Sequence, residues 1–152
     1  MITVDEGGPA REMILSALNT GVAVEVAAEG MSMGGAFGAG VRLVVKSATS
    51  VRWGCGDVVV YAREGRWIAH RVVWRFPAST GGGAVCITKG DGVSGFDRPY
   101  VRGGELVGVA VGLIQGGRTI DLDRAVRRLQ GVWIIVRGLM AMCVAKGFPG
   151  RG

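Results

Sequence analysis

The chain has 152 residues, 49% of them apolar, which fits one domain able to bury about two-thirds of its unfolded surface and excludes a disordered chain. Its 28 glycines lack a Gly-X-Y period, which excludes collagen; three scattered cysteines (Cys55, Cys86, Cys143) and a single histidine support no disulfide framework, metal site or cofactor. The net charge of +6 comes from arginines spread along the chain without a basic block, a solvated basic surface that names no specific nucleic-acid partner.

Residues 1–9 lack the basic start and apolar core of a signal peptide. Pro9 suits a first helical turn, and Met13, Ile14, Ala17 and Leu18 recur at helical spacing. A helix over Pro9–Leu18 follows, closed by Asn19-Thr20-Gly21. Val22, Val24 and Val26 then alternate with Ala23 and Glu25 in strand period. A loop of small residues surrounds Ser32. Further strands are expected at Arg42–Lys46, Asp57–Ala62 and Trp67–Phe76, with the Glu64-Gly65 break making a hairpin of the last two. The run Pro77–Gly83 reads as a flexible loop tip. Val85–Thr88, Leu106–Ile114 and Thr119–Leu122 complete about seven strands.

Asp123 is a suitable N-cap for a second helix, with Ala125, Val126, Leu129, Val132 and Trp133 on one stripe and Arg124, Arg127 and Arg128 off it. Residues 124–146 read in two ways. The preferred one is a helix that covers the sheet's apolar face; the other is a basic amphipathic helix in peripheral contact with a membrane. The apolar run Gly131–Ala145 is broken by Arg137 and is short for a membrane span. The expected architecture is therefore mainly β: one domain over 1–152, with a β core at 22–115 and a C-terminal helical extension at 123–146. The expected location is the cytoplasm, or the periphery of a membrane.

Four fragments carry candidate chemistry: Gly30-Met31-Ser32-Met33; Gly56-Asp57-Val58-Val59-Val60; Ile68-Ala69-His70-Arg71-Val72-Val73; and Thr88-Lys89-Gly90-Asp91 with Asp97 six residues later. In this order and spacing they resemble the type I signal peptidase family and the wider group that includes LexA-like self-cleaving repressors. The His-Arg-Val strand and the Lys-Gly-Asp turn match its archaeal and endoplasmic-reticulum branch, and Leu106-Val107-Gly108-Val109 looks like the family's closing strand. The likeness runs over roughly 24–111.

It implies the family's β-ribbon fold and a Ser-His-Asp endopeptidase acting on a leader or signal-like peptide bound in extended form. Ser32 would attack. His70 would take its proton and later deliver it to the leaving amine. A carboxylate, Asp91 or Asp97, would orient the imidazole. The Lys-Gly-Asp motif favours Asp91. Lys89 and Asp57 read as turn residues. The Ser32 amide is the expected oxyanion donor.

The chain departs from the family pattern at Gly35, where a proline is usual, and at Gly40-Val41, where Gly-Asp is usual. It also shows no N-terminal membrane anchor. These departures carry the alternative, a catalytically inactive relative that binds extended peptides. A self-cleaving repressor is disfavoured, because residues 1–31 are too few for a DNA-binding domain and linker. A basic nucleic-acid-binding barrel would explain the charge and leave His70 and Asp97 without a role.

Overall fold

The structure is a computed structural model and describes residues 3–4, 8–28, 33, 40–77, 86–122, 132–133 and 136. These form β1 (Thr3–Val4), α1 (Gly8–Asn19), β2 (Val24–Ala28), β3 (Val41–Lys46), β4 (Val58–Arg63), β5 (Arg66–Arg75) and β6 (Cys86–Lys89). A 3₁₀ turn at Gly103–Glu105 leads into β7 (Leu106–Gln115) and β8 (Arg118–Asp121). The fold is mainly β, as expected. Seven strands lie within two residues of their expected bounds, and the two-residue β1 is additional.

The first helix ends for the reason its sequence announces. Gly21 has φ +84, the left-handed conformation that costs a glycine little. Its amide bonds to the Leu18 carbonyl and the Val22 amide to the Ala17 carbonyl, the paired bonds of a Schellman C-terminus. The buried stripe of α1 is narrower than its periodicity suggests: Leu18 is buried and Ile14 packs on the core, while Met13 stands 73% exposed. One i,i+4 pair is enough for a helix that only leans on a sheet.

All strand pairs are antiparallel, in the order β1-β5-β4-β7-β3-β2, with β6 beside the second half of β5 and β8 beside the second half of β7. The terminal strands β1 and β2 approach within 8 Å at Cα, so the sheet curls toward closure. Two tight hairpins set the register. Glu64 and Gly65 join β4 to β5 at φ 50 and 73, and Gly116 and Gly117 join β7 to β8 at φ 56 and 74. Positive φ at both central residues is what a two-residue loop between right-twisted strands requires.

Both faces of β4 are covered. Val58 and Val60 join Val26, Leu43, Val45, Trp67, Ala69 and Leu113 in one apolar cluster. Val59 and Tyr61 join Trp53, Ile68, Val72, Cys86, Val101 and Val109 in the other. This explains why β4 reads as an unbroken apolar run rather than an alternation. Met33 is wholly buried in the first cluster. At Gly108, β3 comes so close to β7 that an added Cβ would stand 2.6 Å from the Lys46 carbonyl oxygen.

Of the expected features, the Ser32 loop, the loop tip after Pro77 and most of the second helix lie outside the described residues. Val132, Trp133 and Val136 are helical, and Trp133 is 65% exposed. Among the described residues, no helix is long and apolar enough to cross a membrane.

Candidate active site

His70 and Arg71 are neighbours on β5, so strand alternation sends their side chains to opposite faces. Both are buried. Each meets a carboxylate from the loop that follows β6.

His70 lies opposite Val59 of β4, on the face that also carries Tyr61. The two rings meet edge to face, with centroids 6.3 Å apart. Its Nδ1 stands 2.6 Å from Asp97 Oδ2. The same oxygen accepts a hydrogen bond from the Thr88 hydroxyl at 2.6 Å, and the Asp97 amide donates to the Thr88 carbonyl at 2.9 Å. Thr88 and Asp97 are thus joined through both side chain and backbone.

A carboxylate oxygen that receives a hydroxyl proton is serving as an acceptor, so the imidazole Nδ1 is the donor and carries its proton. That leaves Nε2 as the basic nitrogen. Burial works to raise the Asp97 carboxyl, but hydrogen bonds from His70, Thr88 and Tyr61 and the His70 charge outweigh it and hold the group below its ordinary value. Tyr61 moves the opposite way: burial, and then the nearby Asp97 charge, push its phenol well above the ordinary range. Its proton is therefore retained at any working pH.

Arg71 makes a different pair. Nε donates to Asp91 Oδ1 at 2.8 Å and Nη2 to Asp91 Oδ2 at 2.6 Å, the parallel fork of a bidentate bond. Nη1 donates to the Gly56 carbonyl at 2.7 Å. One guanidinium therefore ties the Asp91 loop to the turn before β4. In that turn, Asp57 Oδ2 accepts from the Gly54 amide at 2.8 Å, as a turn-forming aspartate does.

The carboxylate on His70 is consequently that of Asp97, which corrects the preference for Asp91. The register gives the reason. Arg71 pairs with Lys89 and Val72 with Thr88. Asp91, two residues beyond Lys89, falls on the Arg71 side, whereas Asp97 returns to Thr88 on the His70 side. Lys89 is buried, with its Nζ donating to the Gly90 carbonyl, consistent with a turn residue.

Ser32 lies outside the described residues. Thr88 and Tyr61 are the site residues that motif reading passed over. Counting back from the Glu64-Gly65 turn pairs Val59 with His70, which places Tyr61 on the same face, so this signal was present in the sequence. Among the described residues, no three His, Cys, Asp or Glu side chains gather in a way that could hold a metal ion. A cavity of about 380 Å³ opens elsewhere, between α1 and the sheet, lined by Leu15, Leu18, Trp53, Arg75 and Leu106 among others. None of His70, Thr88 and Asp97 lines it. No protein-family model, curated protein or solved structure matches the chain.

Proposed function

We propose that this protein is a serine endopeptidase of the signal-peptidase type, cleaving leader or signal-like peptides through an acyl-enzyme formed on Ser32. The observation that carries this reading is the buried His70–Asp97 pair at 2.6 Å, with Thr88 on the same carboxylate oxygen. A histidine whose Nδ1 proton is held by an ionised carboxylate is a base at Nε2 and a stabilised imidazolium after it has taken a proton. That is the state a serine hydroxyl requires of its partner, because the hydroxyl is a poor nucleophile until a base removes its proton.

In the first half-reaction the Ser32 oxygen attacks the scissile carbonyl. His70 Nε2 takes the hydroxyl proton and passes it to the departing amine as the carbon–nitrogen bond breaks. In the second, a water attacks the ester, His70 takes its proton, and Ser32 leaves with its own proton restored. Asp97 stays ionised throughout. The substrate enters as an extended strand added to a sheet edge, in the cytoplasm or at a membrane face, with small side chains preceding the cut.

The test is covalent labelling. The full chain is treated with a fluorophosphonate probe and the adduct located by mass spectrometry, beside Ser32→Ala and His70→Ala. Labelling at Ser32 that is lost in both variants supports the peptidase. A folded protein that takes no label, with a peptide-sized probe also refused, overturns it in favour of an inactive relative that binds extended peptides.

A further inference from the structure

We propose that Thr88 is a positioning residue of the site: its hydroxyl, by donating to Asp97 Oδ2, holds that carboxylate in the orientation that keeps the proton of His70 on Nδ1. The inference rests on the peptidase reading for its purpose but not for its geometry. Thr88 is wholly buried, so its hydroxyl must find its partner inside the protein. The partner is the one oxygen that His70 also meets, each at 2.6 Å.

A hydroxyl has a single proton to give, and this one is committed. An Asp97 carboxylate turned about its Cβ–Cγ bond would break the bonds from Thr88 and His70 together. The backbone bond from Asp97 to the Thr88 carbonyl fixes the carboxylate's starting point. Terminal torsions of this kind are otherwise soft in aspartate, so the second donor supplies the restraint that a lone His–Asp contact lacks. Tyr61 of β4 also faces the imidazole, with the Arg63 guanidinium 5.1 Å from the Tyr61 ring. Arg71 and Asp91 satisfy one another on the opposite face.

The chain has one histidine, so its imidazole nitrogens give unambiguous signals in a long-range ¹H–¹⁵N NMR spectrum of the labelled full chain. Wild type is expected to show a single neutral tautomer, with the proton on Nδ1. Thr88→Val keeps the shape and removes the donor, and the Nε2–H tautomer should then become populated. Thr88→Ser restores the donor and should restore the single tautomer. Should Thr88→Val fail to fold, Thr88→Ala serves the same comparison without pressing a methyl against the carboxylate.

A valine or alanine variant that folds and keeps the Nδ1–H tautomer overturns the proposal. So does a serine variant that behaves like valine, since the effect would then come from packing. Because the spectrum reads the imidazole directly, it gives its answer whether or not Ser32 accepts a probe. Where Ser32 is labelled, the labelling rate should fall about tenfold in Thr88→Val, a fraction of the ~10²–10⁴ that positioned proton transfer supplies, and recover in Thr88→Ser.

Discussion

His70 and Arg71 stand side by side on β5, and each holds an aspartate of the same loop, Asp97 on one face of the sheet and Asp91 on the other. The guanidinium fork satisfies both carboxylate oxygens at once. Its third bond, to Gly56, joins two loops. With three bonds to two loops, that pair acts as a clamp. The imidazole meets one oxygen of its aspartate through one ring nitrogen, at 2.6 Å. Alternation along one strand therefore builds a forked pair and a single-contact pair from adjacent residues, and the forked one secures the loop that delivers the carboxylate to the other.

The comparison breaks most sharply at Asp97. Asp97→Asn should slow probe labelling of Ser32 by about 10⁴-fold, because a neutral amide no longer stabilises the imidazolium and can turn its NH₂ toward Nδ1. Its folding stability should fall only by about 1–3 kcal/mol, the loss expected for a weakened buried hydrogen-bond set. Labelling rate and urea midpoint measured on the same preparation separate the two. Equal losses in labelling for Asp97→Asn and Asp91→Asn would erase the division of labour.

Asp91→Ala should show the reverse balance. It leaves the Arg71 charge buried without its carboxylate, which costs roughly 3–5 kcal/mol. The double variant Arg71→Met with Asp91→Leu should regain much of that loss in urea denaturation, since it removes both charges together. A double variant no more stable than Asp91→Ala would mean that the bond from Arg71 to Gly56 is the larger contribution.

Acid titration sharpens the contrast further. The Asp97 carboxyl sits below its ordinary value in the fold, with burial opposed and outweighed by the bonds from His70 and Thr88. A depressed folded value stabilises the protein fully above the ordinary aspartate range, about pH 4. This contribution is lost as the pH falls through the folded value. Urea midpoints followed from pH 6 downward should therefore drop more steeply for wild type than for Asp97→Asn, while parallel curves would deny the ionised carboxylate its part in stability.

The smallest effect serves as the baseline for both pairs. Gly65→Ala puts a Cβ at φ +73 in the β4–β5 turn, at a cost of about 1–2 kcal/mol. The hairpin register should survive, so the His70 tautomer should be unchanged although the denaturation midpoint falls. A changed tautomer would show that the site responds to any loss of stability.

Much of this was legible in the sequence, for local reasons. The end of α1 follows from Gly21, the β4–β5 hairpin from Glu64-Gly65, and the seven longer strands from apolar runs between turn residues. Each depends on backbone conformations that neighbouring residues impose. The order of His70, Lys89, Asp91 and Asp97 was equally visible, and so was the chemistry such residue types can perform. Which carboxylate meets the imidazole was not, because Asp91 and Asp97 lie in one loop and the motif weighs them by their neighbours. The choice depends on the pairing of β5 with β6, a contact between distant parts of the chain, and on the return of Asp97 to the Thr88 backbone. The burial of both faces of β4 and the part of Thr88 belong to the same class. They are decided only when the strands are side by side, since a hydrogen bond's partner is set by register and face rather than by distance along the chain.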